Sequence, residues 1–142
     1  NSPYKYYFMD LGLRNARINF RQYEKSHLME NLIYNEMRVR GFNVDVGTVP
    51  TYTKNEEGKP QRTNLEVDFV CNIGSRRYYI QSAYRMESEE KIKQERASLL
   101  KVDDSFKKII ILGEECPVTR DEQGITTMSV FDFLLRENSL EL

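Results

Sequence analysis

LEVDFVCNIGSRRYYIQSAYRM, residues 65–86, is two β-type runs that meet at Asn72, Ile73, Gly74 and Ser75. Asn and Gly tolerate the left-handed backbone a tight hairpin needs, so the stretch predicts an antiparallel pair. Side chains alternate with period two along a strand. On the first run Val67, Phe69 and Cys71 therefore point one way and Glu66, Asp68 and Val70 the other. With an even loop, Glu66, Asp68, Tyr79, Gln81, Ala83 and Arg85 share one face, while Val67, Phe69, Cys71, Tyr78, Ile80 and Tyr84 make the core side. A carboxylate inside an apolar strand costs free energy unless it is paired or binds something, which singles out Asp68.

Before the hairpin, Glu24 to Arg40 follows a helical period and Gly41 supplies a stop. Leu28, Leu32 and Val39 fall together on that helix, with Met29, Ile33 and Met37 widening the apolar arc. Glu30 lies at the rim of the arc, where a carboxylate can reach over a sheet edge or simply stay in water, the commoner outcome. His27, the single histidine, falls on the polar side. Phe42 to Thr53 reads as a strand, and Lys54 to Thr63 as a polar excursion punctuated by Gly and Pro. After the hairpin, Ser88 caps a charged helix through Leu100 whose apolar stripe is Ile92, Leu99 and Leu100. Lys107–Leu112 and Gly124–Val130 read as strands and Val130–Arg136 as a short closing helix. The order helix, three strands, helix, strand, strand, helix predicts an α/β domain with a mixed central sheet flanked by helices. Its second helix would be the crossover that a parallel pair requires.

A chain of 142 residues with 39% hydrophobic and 30% charged residues is long enough for one domain with its own core. The net charge of −1 provides no global basic field of the kind that marks nucleic-acid binders. No run approaches the ~20 apolar residues that span a bilayer, and no signal peptide opens the chain, so a cytoplasmic protein without a membrane partner is expected. Cys71 and Cys116 fit neither a metal pattern nor a disulfide framework and are expected as free thiols. The first residue is Asn1 rather than Met, which suggests a piece of a longer protein. Residues 1–20, with the aromatic run Tyr6, Tyr7, Phe8 and Met9, are expected to dock on the domain formed by residues 21–142. The cluster Arg14, Arg17, Arg21 and Lys25 reads as a solvated edge.

The layout, with Glu30 on the first helix, Asp68 on the second strand and Gln81 on the third, resembles the PD-(D/E)XK nuclease superfamily and its restriction-endonuclease-like fold. More narrowly, residues 6–135 resemble the family of domains called DUF4143, found at the C-terminal end of bacterial and archaeal AAA-type ATPases. YYFMDLGLRNA, MENLIYNEMRVRGFNV, LEVDFV, YYIQSAY, ERASLLKVDDSFKKIIIL and GITTMSVFDFLL carry the resemblance. It implies an ATPase module of the same chain, N-terminal to Asn1, as partner. None of the seven glycines lies in a G-x-x-x-x-G-K-[ST] pattern, so this piece is not expected to bind ATP.

In active members of the superfamily, carboxylates hold Mg²⁺ and a lysine steadies charge at the phosphodiester. Hard oxygen ligands suit that ion, and a fixed cation suits a developing anion. The resemblance places those groups at Glu30 and Asp68, the candidate metal ligands, and at Gln81 and Ala83, where the charged Glu and the Lys of the pattern are replaced. Arg85 offers positive charge but no base. The site therefore reads as vestigial, with no cofactor required and Mg²⁺ the ion it would take. Three functions follow. The first is an accessory or regulatory nuclease-fold domain of an ATPase, catalytically degenerate, contacting nucleic acid or a partner. The others are a metal-dependent nuclease with a rearranged site built from Glu30, Asp68, Gln81 and Arg85, and a purely structural interaction domain.

Overall fold

The computed structural model describes residues 25–84 and 89–142. The docking segment expected over residues 1–20, with Arg14 and Arg17, and likewise Arg21, Arg85 and the Ser88 cap, lie outside the described residues. Helix α1 (Lys25–Val39) ends as its sequence predicts. Gly41 takes a left-handed φ of 95°, and the N–H of Phe42 donates back to the Met37 carbonyl at 3.0 Å. Its buried stripe is Met29, Ile33 and Met37, at the i, i+4 spacing of one helix face, whereas Val39, expected inside the arc, is 73% exposed.

Strands β1 (Asn43–Lys54), β2 (Pro60–Ile73), β3 (Arg76–Ala83), β4 (Lys107–Leu112), β5 (Thr119–Arg120) and β6 (Ile125–Ser129) form one six-stranded sheet in the order β1-β2-β3-β4-β6-β5. The first three strands meander antiparallel, β3 and β6 flank β4 in parallel, and β5 closes the edge antiparallel. Helix α2 (Glu89–Leu100) connects β3 to β4 and is the expected crossover; helix α3 (Val130–Leu135) and a 3-10 turn (Ser139–Glu141) close the chain. Lys54–Thr63, read as an irregular excursion, is mostly strand. Lys54 pairs with Pro60, which leaves only a turn whose Asn55 Oδ1 accepts from the N–H groups of Glu57 and Lys59. Proline is tolerated at that strand start because it has no N–H to place in a ladder.

Both faces of the sheet are buried. Under α1 and α3 lie Phe69, Cys71, Tyr78, Ile80, Ile109, Ile111 and Met128, with Phe133 reaching in from α3. The opposite cluster, closed by Leu99 of α2, holds Val67, Tyr79, Ala83, Ile110, Leu112 and Ile125. Val67 and Phe69 thus belong to opposite faces, which corrects the alternation expected for this strand. The cause is a bulge: Asp45 pairs with Val70 but Gly47 with Val67, so Asp68 and Phe69 together oppose Val46. An extra residue reverses the facing of everything N-terminal to it. The β4 end packs tightly, since a Cβ on Gly113 would stand 2.6 Å from both the ring and the carbonyl oxygen of Tyr84.

Candidate functional site

Gly74 and Ser75 alone separate β2 from β3, so the loop is even and Phe69 faces Ile80, Val70 faces Tyr79 and Cys71 faces Tyr78. Backbone pairing stops at Phe69 and Ile80. Beyond them the ladder is continued by side chains. The Asp68 N–H donates to Gln81 Oε1 at 2.8 Å, and Gln81 Nε2 donates to the Glu66 carbonyl at 3.5 Å. In return Asp68 Oδ2 accepts from the Ser82 N–H at 2.8 Å and from Ser82 Oγ at 3.3 Å. Buried backbone groups must find partners, and past the end of the β2–β3 pairing the Asp68 and Gln81 side chains supply them, with the Ser82 hydroxyl bonded to Asp68.

The structure therefore brings Asp68 and Gln81 together, though not as strand alternation arranges them. The bulge in β2 lets Asp68 reach Ser82, on the face of Ile80 and Tyr84, whereas Tyr79 and Ala83 lie on the α2 side by the plain alternation of β3. Gln81 is 3% exposed. Ala83, where the resemblance sets a lysine, is 1% exposed within the apolar cluster, so its surroundings are core rather than a gap left for a cation. Glu30 stands on α1 with a side chain 15% exposed and His27 Nδ1 3.3 Å from its carboxylate. It is thus largely withdrawn from water, unlike the solvated rim charge that composition favours. Ser82 was missed by sequence reasoning, and its only signal was a small polar residue between Gln81 and Ala83.

Mg²⁺ asks for near-octahedral oxygen ligands, several of them water, anchored by carboxylates. Here one Asp68 oxygen is engaged by Ser82 and the Gln81 oxygen by a backbone N–H. Among the described residues no three of His, Cys, Asp or Glu gather into an ion-holding group. Committed in this way, neither of these two oxygens is open to the ion as placed.

A second polar network lies on the α2 side. Tyr79 donates to Asp104 Oδ2 at 2.5 Å, Arg77 donates to Asn72 Oδ1 at 2.7 Å and to the Tyr79 hydroxyl at 3.3 Å, and Lys108 Nζ bonds the carbonyls of Asp104 and Phe106. Burial, then the bond to Asp104, pushes the Tyr79 phenol above its usual range. The network ties β3 to the loop before β4 and leaves no unpaired nucleophile. Open cavities of about 410 and 420 Å³, one at Cys116, Pro117, Ser129 and Phe131 and the other along Asp45–Pro50, do not include Asp68, Gln81 or Glu30. Burial, with Asp132 and Glu114 nearby, raises the Cys116 thiol too, so it is a poor nucleophile at neutral pH. No helix among the described residues is long and apolar enough to cross a membrane.

No family model matches the chain. A protein of Haemophilus influenzae, named only as an uncharacterized protein, is 29% identical to it over 132 residues, which is 93% of this chain and 29% of that protein. The chain thus spans less than a third of that relative's length.

Proposed function

We propose that this chain is an accessory or regulatory module with a restriction-endonuclease-like fold, catalytically degenerate, and part of a longer AAA-type ATPase of the DUF4143 kind. One observation carries the degenerate reading: the Gln81 amide bridges β2 and β3 by accepting from Asp68 and donating to Glu66. A neutral amide does both at neutral pH. An ionised Glu in its place has no proton for the Glu66 carbonyl and would set oxygen against oxygen in a nearly dry site. The residue that departs from the catalytic pattern is thus the one the local structure uses, and Asp68 likewise serves Ser82. The fold reading is supported by a mixed sheet with a parallel crossover, Glu30 on the first helix and Asp68 on the second strand. The ATPase reading draws on the resemblance, with the unmatched length of the Haemophilus influenzae relative as room for another module.

The same bonds favour a second reading, a purely structural interaction domain whose polar residues satisfy one another. The two share the expectation of no hydrolysis. Purified chain is incubated with plasmid, single-stranded DNA and RNA in Mg²⁺ or Mn²⁺, with Asp68→Ala as control. Negligible cleavage by both proteins is expected. Metal-dependent cleavage that vanishes in Asp68→Ala overturns the degenerate reading and installs a rearranged nuclease using Glu30, Asp68, Gln81 and Arg85. Co-purification of the full-length protein's remaining part with ATP-hydrolysing activity tests the ATPase assignment separately.

A further inference from the structure

Past Thr48 and Glu66 the β1–β2 hairpin extends as a two-stranded arm, closed by the turn at Asn55–Lys59, and residues 54–62 are exposed throughout. Two-stranded ribbons are marginal in water, so one held out this far is suited to gripping something else. The register sorts its side chains. Tyr52 pairs with Arg62, Lys54 with Pro60 and Pro50 with Asn64, so Tyr52, Lys54 and Arg62 share one face. The same alternation carries that face through Asn64 and Glu66 to Asp68, some six residues or about 20 Å from Arg62. Tyr52 is 77% exposed. Glu56 and Glu57 sit in the turn at the arm's tip, Glu57 within 3.9 Å of Lys59, and the exposed acid on the cationic face, Glu66, stands at the arm's root, four residues from Arg62.

From this placement we propose that the arm binds single-stranded nucleic acid, with one base stacked on Tyr52 and phosphates held by Lys54 and Arg62. An exposed aromatic between two cations is the chemistry that recognises a polyanion with free base faces; a duplex hides those faces in its stack. A chain with net charge −1 lacks a global field for such a ligand, and the arm concentrates cations on one ribbon face instead. The inference goes beyond the reading of the Asp68 site, since no arm residue belongs to that cluster.

The test is fluorescence anisotropy with labelled oligo-dT, oligo-U and a duplex of equal length, at two salt concentrations. Wild type is expected to bind both single strands more tightly than the duplex. Tyr52→Phe keeps a stacking face and should retain binding, while Tyr52→Thr keeps strand propensity and should weaken it about tenfold or more. Lys54→Gln and Arg62→Gln should each flatten the salt dependence by about 0.7 in log–log slope. Glu137→Gln, at an exposed position after α3, should leave binding intact, and the cleavage assay reads the Asp68 site on its own, which separates failure of this inference from failure of the site reading. Absent binding at low salt, duplex preference, or affinity unchanged by Tyr52→Thr and Arg62→Gln overturns the proposal. So does an arm that binds no oligonucleotide but pairs two copies of the chain in sedimentation.

Discussion

Replacing Gln81 by Glu restores the residue type of the catalytic pattern but should damage the fold, because the amide is the bridge between β2 and β3. The new Oε1 still accepts from the Asp68 N–H, but the donor that met Glu66 at 3.5 Å becomes an acceptor facing an acceptor. Losing such a partner in a buried site costs about 1–3 kcal/mol, and a charge at a position only 3% exposed adds desolvation to it. A total near 3 kcal/mol at neutral pH corresponds to a fall in Tm of about 10 °C for a domain of this size. The penalty depends on pH in a definite direction. Burial and the Asp68 carboxylate raise the folded-state pKa of the introduced Glu above its unfolded value of about 4.3. Below that unfolded value the side chain is protonated in both states, can donate to Glu66 again, and the variant approaches wild type. As pH rises through the raised folded pKa the deficit grows to its full size. Thermal melts by circular dichroism from pH 4 to pH 8 measure this divergence. Equal Tm values at pH 7.5, or a variant that gains stability as pH rises, would refute the argument that Gln81 is a structural bridge.

Further outcomes are expected elsewhere in the fold. Arg40 donates to Glu36, to Ser139 Oγ at 2.8 Å and to the carbonyls of Phe133 and Arg136 at 2.7 and 3.2 Å. Arg40→Met should therefore lower the urea midpoint by the equivalent of about 2–3 kcal/mol, and Arg40→Lys should rescue little, because a point ammonium cannot reproduce the planar fork. Gly113→Ala should destabilise by about 1–3 kcal/mol in the same assay, since the added methyl meets the Tyr84 backbone at 2.6 Å. Cys71 is buried with its thiol pushed up to about 12, chiefly by burial, so a thiol reagent at pH 8 should modify the partly exposed Cys116 first and Cys71 only in denaturant. The Glu141 carboxyl is held below its usual range by the bond from Tyr78, with Arg76 and Lys107 adding to it. Its contribution is present above the unfolded pKa and is lost as pH falls through the lower folded one, so Glu141→Gln should flatten the acid limb of the urea-midpoint profile below pH 5.

Features governed by near neighbours in the chain were legible in the sequence alone. The hairpin turn around Gly74 and Ser75, the triple-isoleucine strand β4 and the stop at Gly41 all rest on local period and punctuation, although Asn72 and Ile73, read into that turn, belong to β2. The crossover helix followed from element order. What was not legible is set by distant partners. The bulge that separates Val67 from Phe69 arises from pairing with β1 at Asp45 and Gly47, and the glycine inside β1 was its only trace in the sequence. On α1 two adjacent apolar stripes were available, and packing against the sheet and α3 selects Met29, Ile33 and Met37 while Val39 is left in water. The candidate site shows the same division. Asp68 and Gln81 stood out as polar residues in apolar strands, but that they bond backbone across a parted ladder, with Ser82 as third member, depends on the bulge.

The central claim is that Asp68 and Gln81 hold two strands together rather than an ion. A crystal soaked in Mn²⁺, measured by anomalous scattering, tests it most directly. No anomalous peak is expected at Asp68, with its Oδ2 still accepting from the Ser82 N–H near 2.8 Å. An ion bound by Asp68 together with Glu30 or Gln81, with the Ser82 bond broken, would contradict it.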